Sequence, residues 1–553
     1  MTKPNLIQDP DTFLQQLFRK HDRYYFGDEL RDKLVKTLHK SNPAARKIVE
    51  RFVEKGYVQS SSPVSFGKGM YVYYPNNKTV TFDDMIGLTR GRRPPMFRLL
   101  AAMKKCGGVL SYYEALKITS SQLKPSNSKN PSLDVIIEEI NHFDLIYLLK
   151  DKNNVKYLVA NYVEQPLLES IVARHFALMV LDSIFLYDIL NSLENFNLVD
   201  NEYVIYRNRK TPSLGAIHNN FVWDAFAYTK TTGINTTYGA RRKKSNKQAL
   251  VVLDVVVSRN YELFDFDGFF GRIQVLLNNT KKERKVIPII VYKEISQEAL
   301  NTARSLGILT YNMAAFFGIG IYEVINNTAE IKLGEYASLT QQSDPVQTIS
   351  QTLDVIETTG NEYNLQNLIG DFFQSLMYQL FRHLYPLCTI EQSAKLPAMD
   401  DYGDPGRYYE YDLIVWSAET KEIIVIELKG STKNYTIPKG DFETKNTLKW
   451  FFGRTFPSYK KHFTTGYYKN HKVKGVFVNS GKFDKDGIAY LTELNTGTIK
   501  PNKINVGYDG RSLIKLVNNE GLELLKQTLQ RYYIKETDKV RNTTAELVKK
   551  NHD

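Results

Sequence analysis

The chain has 553 residues, of which 73 are Lys or Arg and 60 are Asp or Glu, so it carries a formal net charge of +13 and is 42% hydrophobic. At ~150 residues per domain the length predicts about three to five domains, the aromatic fraction of 12% excludes a disordered chain, and two cysteines, Cys106 and Cys388, exclude a disulfide framework or a cysteine-based zinc site. The sequence has neither a signal-peptide pattern nor a run of the roughly 18 uninterrupted apolar residues that a membrane span needs, so we expect a cytoplasmic protein with no membrane partner.

The excess positive charge is concentrated near the N-terminus. Residues 1–160 hold 26 basic and 16 acidic side chains, a net +10, whereas residues 161–340 and 341–553 carry +1 and +2. Charge that only keeps a protein soluble would be spread evenly, and a local basic face attracts a polyanion. The pattern favours a nucleic-acid partner, with simple solubilising charge as the alternative.

Residues 12–75 have the pattern of three helices followed by two short strands around a Gly-Lys-Gly turn. Ser41 and Pro43 are typical of the start of the third helix, which Gly56 ends. The apolar residues expected on its core face are Ala44, Ile48, Phe52 and Val53.

Three helices closed by a two-stranded ribbon are the plan of a winged helix, which we place at residues 1–80. In that plan the third helix and the ribbon turn lie against DNA. The basic residues of these two elements, and hence our predicted DNA contacts, are Arg46, Lys47, Arg51, Lys55 and Lys68.

The same order recurs at residues 81–160, which we interpret as a second winged helix. The turn before its first helix adds two predicted DNA contacts, Arg92 and Arg93. Its third helix is acidic, with Asp134, Glu138 and Glu139, so only the first copy is a clear DNA reader. Winged helices also serve as protein-interaction modules, which remains open for the second copy.

Residues 161–335 alternate strand-like and helical runs and predict an α/β domain. The polar stretch 336–358 is expected to be a linker. Residues 359–553 repeat the alternation, beginning with a helix that carries Glu362 and ending with C-terminal helices. The fold class is therefore multidomain, combining α+β and α/β domains.

The passage with the clearest chemistry is EYDLIVWSAETKEIIVIELKGS. A two-residue loop near Glu419 would close a hairpin in which opposite positions add to 839, and this would place Asp412 opposite Glu427. Lys429 projects from the same face as Glu427 because strand side chains alternate. Charged ends of surface hairpins are common, so this pattern alone is a weak signal.

Phosphodiester hydrolysis would explain why these three charged residues lie together at one end of the hairpin. Asp412 and Glu427 could hold Mg²⁺ or Mn²⁺ through their oxygens, and the Lys429 ammonium could orient or help to deprotonate the attacking water. We expect a third carboxylate from Glu362, which would share a helix stripe with Leu365, Ile369 and Phe373. Asp371 would lie on the outer face.

This helix and hairpin resemble the PD-(D/E)XK, or restriction-endonuclease-like, superfamily over residues 358–480. The resemblance implies an αβββαβ core in which Asp412, Glu427 and Lys429 form the catalytic signature. Tyr411 stands where the family name leads one to expect proline.

The middle domain resembles the same superfamily, with a closing segment similar to Mrr-type members. Asp224 and Asp254 occupy the two acidic positions, but Val256 replaces the lysine. We interpret it as a non-catalytic nuclease-like domain, the alternative being an unrelated α/β domain. The basic run between its strands, Arg241, Arg242, Lys243 and Lys244, is either a solvated loop or a phosphate contact.

Two functions follow from these patterns. The first is a Mg²⁺-dependent DNA endonuclease with N-terminal recognition domains, in prokaryotic defence or restriction, acting as a homodimer or with partner subunits. The second is a non-catalytic DNA-binding regulator or mobile-element initiator that uses the nuclease-like folds as scaffolds. The intact pair Glu427 and Lys429 favours the nuclease, because a scaffold has no need of it.

Overall fold

The computed structural model describes residues 9–124, 131–230, 248–279, 285–337, 344–399, 407–432, 435–462 and 470–534. It confirms a mixed α+β protein with several small sheets. The chain divides into two compact units. The first unit comprises 1–175, 217–222 and 262–282, and the second comprises 176–216, 223–261 and 283–553. The predicted middle and C-terminal domains thus fall largely within one unit.

The helices in chain order are α1 Pro10–Lys20, α2 Gly27–Leu38, α3 Asn42–Glu54, α4 Phe82–Thr89, α5 Pro94–Lys105, α6 Tyr112–Thr119, α7 Leu133–Asn141, α8 Gln165–Ile184, α9 Leu186–Asn195, α10 Leu263–Asn279, α11 Gln297–Ser305, α12 Ala314–Phe317, α13 Ile321–Ala337, α14 Pro345–Thr358, α15 Gln366–Leu384, α16 Leu448–Trp450, α17 Phe456–Lys461, α18 Lys485–Leu494, α19 Gly510–Asn519 and α20 Glu523–Tyr532. A π-helical turn, Phe451–Thr455, joins α16 to α17.

The strands in chain order are β1 Tyr25–Phe26, β2 Val58–Ser60, β3 Val72–Pro75, β4 Val109–Ser111, β5 Ile146–Lys150, β6 Lys156–Ala160, β7 Asp200–Tyr206, β8 Ala216–His218, β9 Phe221–Trp223, β10 Ala225–Thr229, β11 Ala249–Tyr261, β12 Val286–Ile295, β13 Leu309–Asn312, β14 Cys388–Pro397, β15 Tyr408–Ser417, β16 Glu422–Lys429, β17 Thr436–Ile437, β18 Lys472–Asn479, β19 Lys482–Phe483 and β20 Gly507–Tyr508.

The first unit contains the same arrangement twice. In residues 10–75, the first module, the order is α1, β1, α2, α3, β2, β3, and the sheet order is β1-β3-β2. In residues 94–160, the second module, the order is α5, β4, α6, α7, β5, β6, and the sheet order is β4-β6-β5. The repetition suspected from the sequence is therefore present in the topology.

Helix α3 begins where the sequence indicates. The Ser41 side chain accepts a hydrogen bond from the Ala44 N–H, which satisfies one of the unpaired donors of the first turn. The buried residues of this helix are Ala45, Val49 and Phe52 rather than the predicted Ala44, Ile48, Phe52 and Val53. Phe52 is confirmed, Ile48 and Val53 pack against the core while only partly buried, and the centre of the buried face lies at Ala45 and Val49.

The second unit contains two five-stranded sheets with the same pattern of strand directions. The order is β7-β10-β11-β12-β13 in the first sheet and β14-β15-β16-β18-β20 in the second. In each, the first two pairings in this order are antiparallel and the last two are parallel. The two halves of this unit therefore share one strand plan.

The segment predicted to be a linker, 336–358, is largely helical, which corrects that expectation. Asp344 caps α14, and Val346, Ile349, Leu353 and Ile356 are buried. Their spacing of three and four residues is that of a helix packing on a core. The many Gln, Ser and Thr residues around this stripe made the segment read as polar.

A helical stretch, Gln165–Asn195, is the only part of the described chain that is long and apolar enough to cross a membrane, and 83% of its most apolar window is buried in the protein. Such burial is what a core helix of a soluble protein shows.

Packing by α14 should be measurable as stability. Leu353→Ala should lower the free energy of unfolding by about 2–5 kcal/mol, because it removes a buried side chain and leaves a cavity. Gln351→Ala, on the exposed side of the same helix, should change it by less than about 0.5 kcal/mol. Urea denaturation of the full chain measures both, and equal small effects would contradict the packed helix.

Candidate active site

The hairpin of β15 and β16 has the register expected from the sequence. Leu413 lies opposite Ile426, and the pairing continues to Ser417 opposite Glu422, so partner positions add to 839. The connection is a four-residue turn, 418–421, rather than the two-residue loop. Because a turn lengthened by one residue on each side keeps the same register, Asp412 and Glu427 still fall at corresponding positions at the hairpin's open end.

Asp412 is the most heavily bonded residue of this site. It is buried, and its Oδ2 accepts a hydrogen bond from the Leu428 N–H at 2.8 Å. Its Oδ1 accepts from the Gln374 side chain at 3.1 Å and from the Lys210 ammonium at 2.7 Å. Both carboxylate oxygens therefore have partners from other segments of the second unit.

Glu427 and Lys429 form an ion pair beside Asp412. Lys429 Nζ lies 2.7 Å from Glu427 Oε1, and both side chains are partly buried. The structure thus brings together the three residues of the sequence motif, and two of the three charges compensate each other directly.

The electrostatics separate the two carboxylates. Burial opposes ionisation of Asp412, but Lys210 and Lys429 outweigh it, and the pKa of Asp412 lies below its ordinary value. Burial raises the pKa of Glu427 above its ordinary value, and the charge of Asp412 adds to that effect. Burial also disfavours the Lys429 ammonium, yet Glu427 and Asp412 raise its pKa overall, so this lysine remains protonated.

A polar cleft of about 390 Å³ opens on this constellation. Its lining includes Asp412 and Lys429 together with the α15 residues Gln366, Asn367, Gly370 and Gln374, the strand end Leu428, Gly430 and Ser431, and Arg209, Lys210 and Tyr435. Many of these residues carry amide, hydroxyl or cationic groups.

The structure does not place Glu362 at this site. Helix α15 begins at Gln366, so Glu362 lies in the preceding turn, where it is exposed and lines a different small pocket with Arg531 and Tyr532. The expected apolar stripe Leu365, Ile369 and Phe373 is buried, but the helix does not extend back to residue 362. The side chain that α15 does direct to Asp412 is Gln374, which the sequence analysis missed.

Asp371, expected on the outer face of α15, is buried. Its Oδ2 lies 2.6 Å from Lys332 Nζ and its Oδ1 lies 2.6 Å from Arg209 Nη1. Burial disfavours its charge, but these two cations hold its pKa below the ordinary value. Asp371 is therefore an anchor for neighbouring segments rather than a group of the cleft.

Lys210 is the second residue that the sequence analysis missed. It belongs to the loop between β7 and β8, 202 residues before Asp412 in the chain. Neighbouring residues fix this loop, since Asn208 donates to Glu410 at 3.1 Å and Arg209 pairs with Asp371. The only local signal was the short basic run of residues 207–210.

The first sheet of the second unit contains a corresponding pair of carboxylates. Ala225 lies opposite Leu253, so the same register places Asp224 opposite Asp254. The Val255 N–H donates to Asp224 Oδ2 at 2.8 Å, as the Leu428 N–H does to Asp412. This equivalence supports the sequence comparison of the two strand pairs.

The surroundings of this second pair differ from those of the first. Asp224 and Asp254 are 0% and 1% exposed. Arg207 Nε lies 3.3 Å from Asp224 Oδ1, and the Tyr261 hydroxyl donates to Asp254 Oδ2 at 3.1 Å. Val256, at the lysine position, is also buried. These carboxylates are covered by side chains and cannot meet a substrate.

The predicted DNA contacts of the first unit fall into two groups. Lys47, Arg51 and Lys68 are exposed, as is Arg46, which pairs with Glu50 at 2.9 Å. Lys55 is exposed and forms an ion pair with Asp11.

Two other predicted contacts have structural partners. Arg92 lies over the Phe26 ring, 3.8 Å from its centroid, and Arg93 binds the Ser65 carbonyl and Glu139. Arg93 therefore connects the two modules. The run Arg241, Arg242, Lys243 and Lys244 lies outside the described residues.

The donor set of the site suits one kind of metal ion. Within the described residues no three His, Cys, Asp or Glu side chains form a metal-binding group. Mg²⁺ is often held by only one or two carboxylates and keeps several waters, which fits Asp412 and Glu427 beside an open cleft. No protein-family model matches the chain, and comparisons with curated proteins and with solved structures gave no match either.

The backbone just after Lys429 approaches α15 closely, and this gives a test of the site's packing. A Cβ at Gly430 would lie 2.2 Å from Phe373 Cγ, so Gly430→Ala should push the strand end away from the helix and destabilise the protein by about 1–3 kcal/mol. Gly370→Ala, whose Cβ would make only an ordinary contact with the Gly430 carbonyl oxygen at 3.9 Å, should be neutral or stabilising by up to about 1 kcal/mol. Urea denaturation distinguishes the two, and equal stabilities would contradict the close approach.

Proposed function

We propose that this chain is a metal-dependent DNA endonuclease whose active site is formed by Asp412, Glu427 and Lys429. The observation that carries the proposal is the convergence of Asp412, Glu427 and Lys429 at the open end of the hairpin, where Asp412 and Lys429 line a polar cleft. The elements around it run α15, β14, β15, β16, the two-residue strand β17, α16 with α17, and β18. Apart from β17, this order is the αβββαβ order that the resemblance to PD-(D/E)XK nucleases implies.

Each residue has a role that its surroundings support. Asp412 and Glu427 would hold Mg²⁺ or Mn²⁺, which when bound supplies a Lewis acid and an acidified water. Lys429, kept protonated by the two carboxylates, orients the attacking water and offsets the negative charge that develops on the phosphate.

The first unit is proposed to bind the DNA. Both modules have the helix, strand and sheet order of a winged helix, and residues 1–160 carry a net +10. In the first module α3 exposes Lys47 and Arg51 on the side away from its buried face, where they can meet phosphates. In the second module the acidic α7 favours a role other than direct reading.

The first sheet of the second unit is proposed to be a non-catalytic copy of the nuclease fold. Its two carboxylates have the register of the active pair, but Val256 replaces the lysine and Arg207 and Tyr261 occupy the carboxylate oxygens. The family resemblance further suggests a role in prokaryotic defence or restriction, with a homodimer or partner subunits.

One observation favours the alternative, a DNA-binding regulator that uses both sheets as scaffolds. Lys210 occupies Asp412 Oδ1, so the site as it stands is charge-compensated without a metal ion. Cleavage assays separate the two functions, because a scaffold has no turnover to lose.

Lys429→Ala should lower Mg²⁺-dependent cleavage of plasmid DNA by about 10²–10³-fold, since it removes the cation that orients water and offsets developing charge. DNA binding should persist, because the first unit supplies most phosphate contacts. The matched control is Asp254→Asn in the covered site, which should cleave at the original rate. Unchanged cleavage by Lys429→Ala, or an equal loss in the control, would contradict this assignment.

Exchange of Lys47 and Arg51 for Ala should weaken duplex DNA binding. It should also make the binding less dependent on salt, because fewer phosphate contacts release fewer counterions when the protein binds. This test uses the full chain, because the first unit also includes α10 from much later in the sequence, and Gly268 of α10 packs against α6. Lys20 and Lys36 exchanged for Ala remove the same charge from α1 and α2 and are the control. Fluorescence anisotropy over a salt series measures the binding. Equal effects of the two double substitutions would refute the proposed DNA interface.

A further inference from the structure

Lys210 lies where a metal ion held by Asp412 would have to bind. Asp412 Oδ2 accepts from the Leu428 N–H, whereas Oδ1 contacts the cleft residues Lys210 and Gln374, so a metal ion that enters from the cleft meets Lys210 at Oδ1. Oδ1 is 2.7 Å from the Lys210 ammonium, which is 14% exposed. An ammonium and a divalent cation cannot share this oxygen at such distances, because the two positive charges repel strongly in a partly buried site.

The charges of the site also indicate that Lys210 competes with a metal ion for Asp412. Asp412 and Glu427 face two ammonium groups, Lys429 at 2.7 Å from Glu427 and Lys210 at 2.7 Å from Asp412. Two carboxylates and two ammoniums compensate each other without a metal. A divalent cation on the same two carboxylates brings these five charges to +2, and Lys210, which also lies 3.7 Å from Glu410 Oε2, is the ammonium that contacts Asp412 Oδ1.

The loop that carries Lys210 is held by contacts of the residues just before it. Arg207 pairs with Asp224 of the covered site, and Arg209 pairs with Asp371, which also binds the buried Lys332. Lys210 itself has a flexible four-carbon stem and lines the cleft. Its ammonium can therefore leave Asp412 by side-chain rotation while the backbone stays in place.

We infer that Lys210 is a displaceable counterion of the active site: it neutralises Asp412 until a divalent cation binds, and is then released into the cleft toward the substrate phosphate. This rests on the proposed nuclease function and adds a regulatory element to it. In this way a loop of the proposed non-catalytic sheet sets the metal-ion concentration at which the proposed active site binds its metal ion.

The test measures metal binding rather than cleavage. Mn²⁺ is titrated into the full chain without DNA, and the free ion is followed by electron paramagnetic resonance. Lys210→Met should bind Mn²⁺ about tenfold or more tightly than the original chain, because unit charges a few ångströms apart still interact appreciably at an effective dielectric constant of ~20. Lys210→Arg, which keeps the charge, should bind no more tightly than the original chain.

Two controls make the result specific. Lys395→Met removes a similar charge near Glu410, 3.9 Å away, and should leave the affinity within about twofold, as expected for an exposed ion pair. Asp412→Asn should abolish the binding, and thermal denaturation confirms that each variant is folded.

The outcomes separate this inference from the proposed function. Mn²⁺ binding that requires Asp412 but is unchanged or weakened in Lys210→Met overturns the displaceable counterion and leaves the nuclease proposal standing. Absence of Asp412-dependent binding in every folded variant overturns both. Equal tightening in Lys210→Met and Lys395→Met shows a general charge effect and also overturns the inference.

Discussion

A buried carboxylate among apolar strands is the constraint on which the second unit depends. Asp412 is 4% exposed and is followed along β15 by Leu413, Ile414 and Val415, all buried. Removing a charge from water costs several kcal/mol unless it is compensated. The compensation comes from a backbone N–H of the partner strand, an amide from α15 and an ammonium from the β7–β8 loop. Three separate chain segments are thereby brought to one point.

The two sheets of the second unit compensate their buried carboxylates in different ways. In both, the acidic residue of the first hairpin strand accepts a backbone N–H from the second strand at 2.8 Å. Asp224 Oδ1 lies 3.3 Å from Arg207 Nε, and Asp254 Oδ2 accepts a hydrogen bond from the Tyr261 hydroxyl. Both aspartates are almost completely buried. At Asp412 the partner is a flexible lysine at the edge of a cleft. Asp412 is buried as well, but its partner Lys210 lines the cleft, and under the proposed function a metal ion could replace that ammonium.

The arginines of the first unit show how a basic composition divides between structure and surface. Arg93 binds Ser65 of the first module and Glu139 of the second, and Arg92 lies over Phe26. These contacts hold the two modules in contact through charge-assisted hydrogen bonds and a cation–π interaction. Lys47, Arg51 and Lys68 are among the basic side chains of residues 1–160 that remain exposed. Net charge alone does not separate the two groups.

The sequence by itself determined the hairpin register, the meeting of Asp412, Glu427 and Lys429, and the start of α3, because these depend on strand alternation, turn position and capping within short segments. It also indicated the paired carboxylates Asp224 and Asp254 and the lost lysine.

Only the tertiary structure decided where α15 begins, that Asp371 is buried, and that Gln374 and not Glu362 reaches Asp412, since a helix stripe does not reveal its own first residue. It alone placed Lys210 on a carboxylate 202 residues away, because no local pattern encodes a contact that depends on how a loop of one sheet meets the hairpin of another.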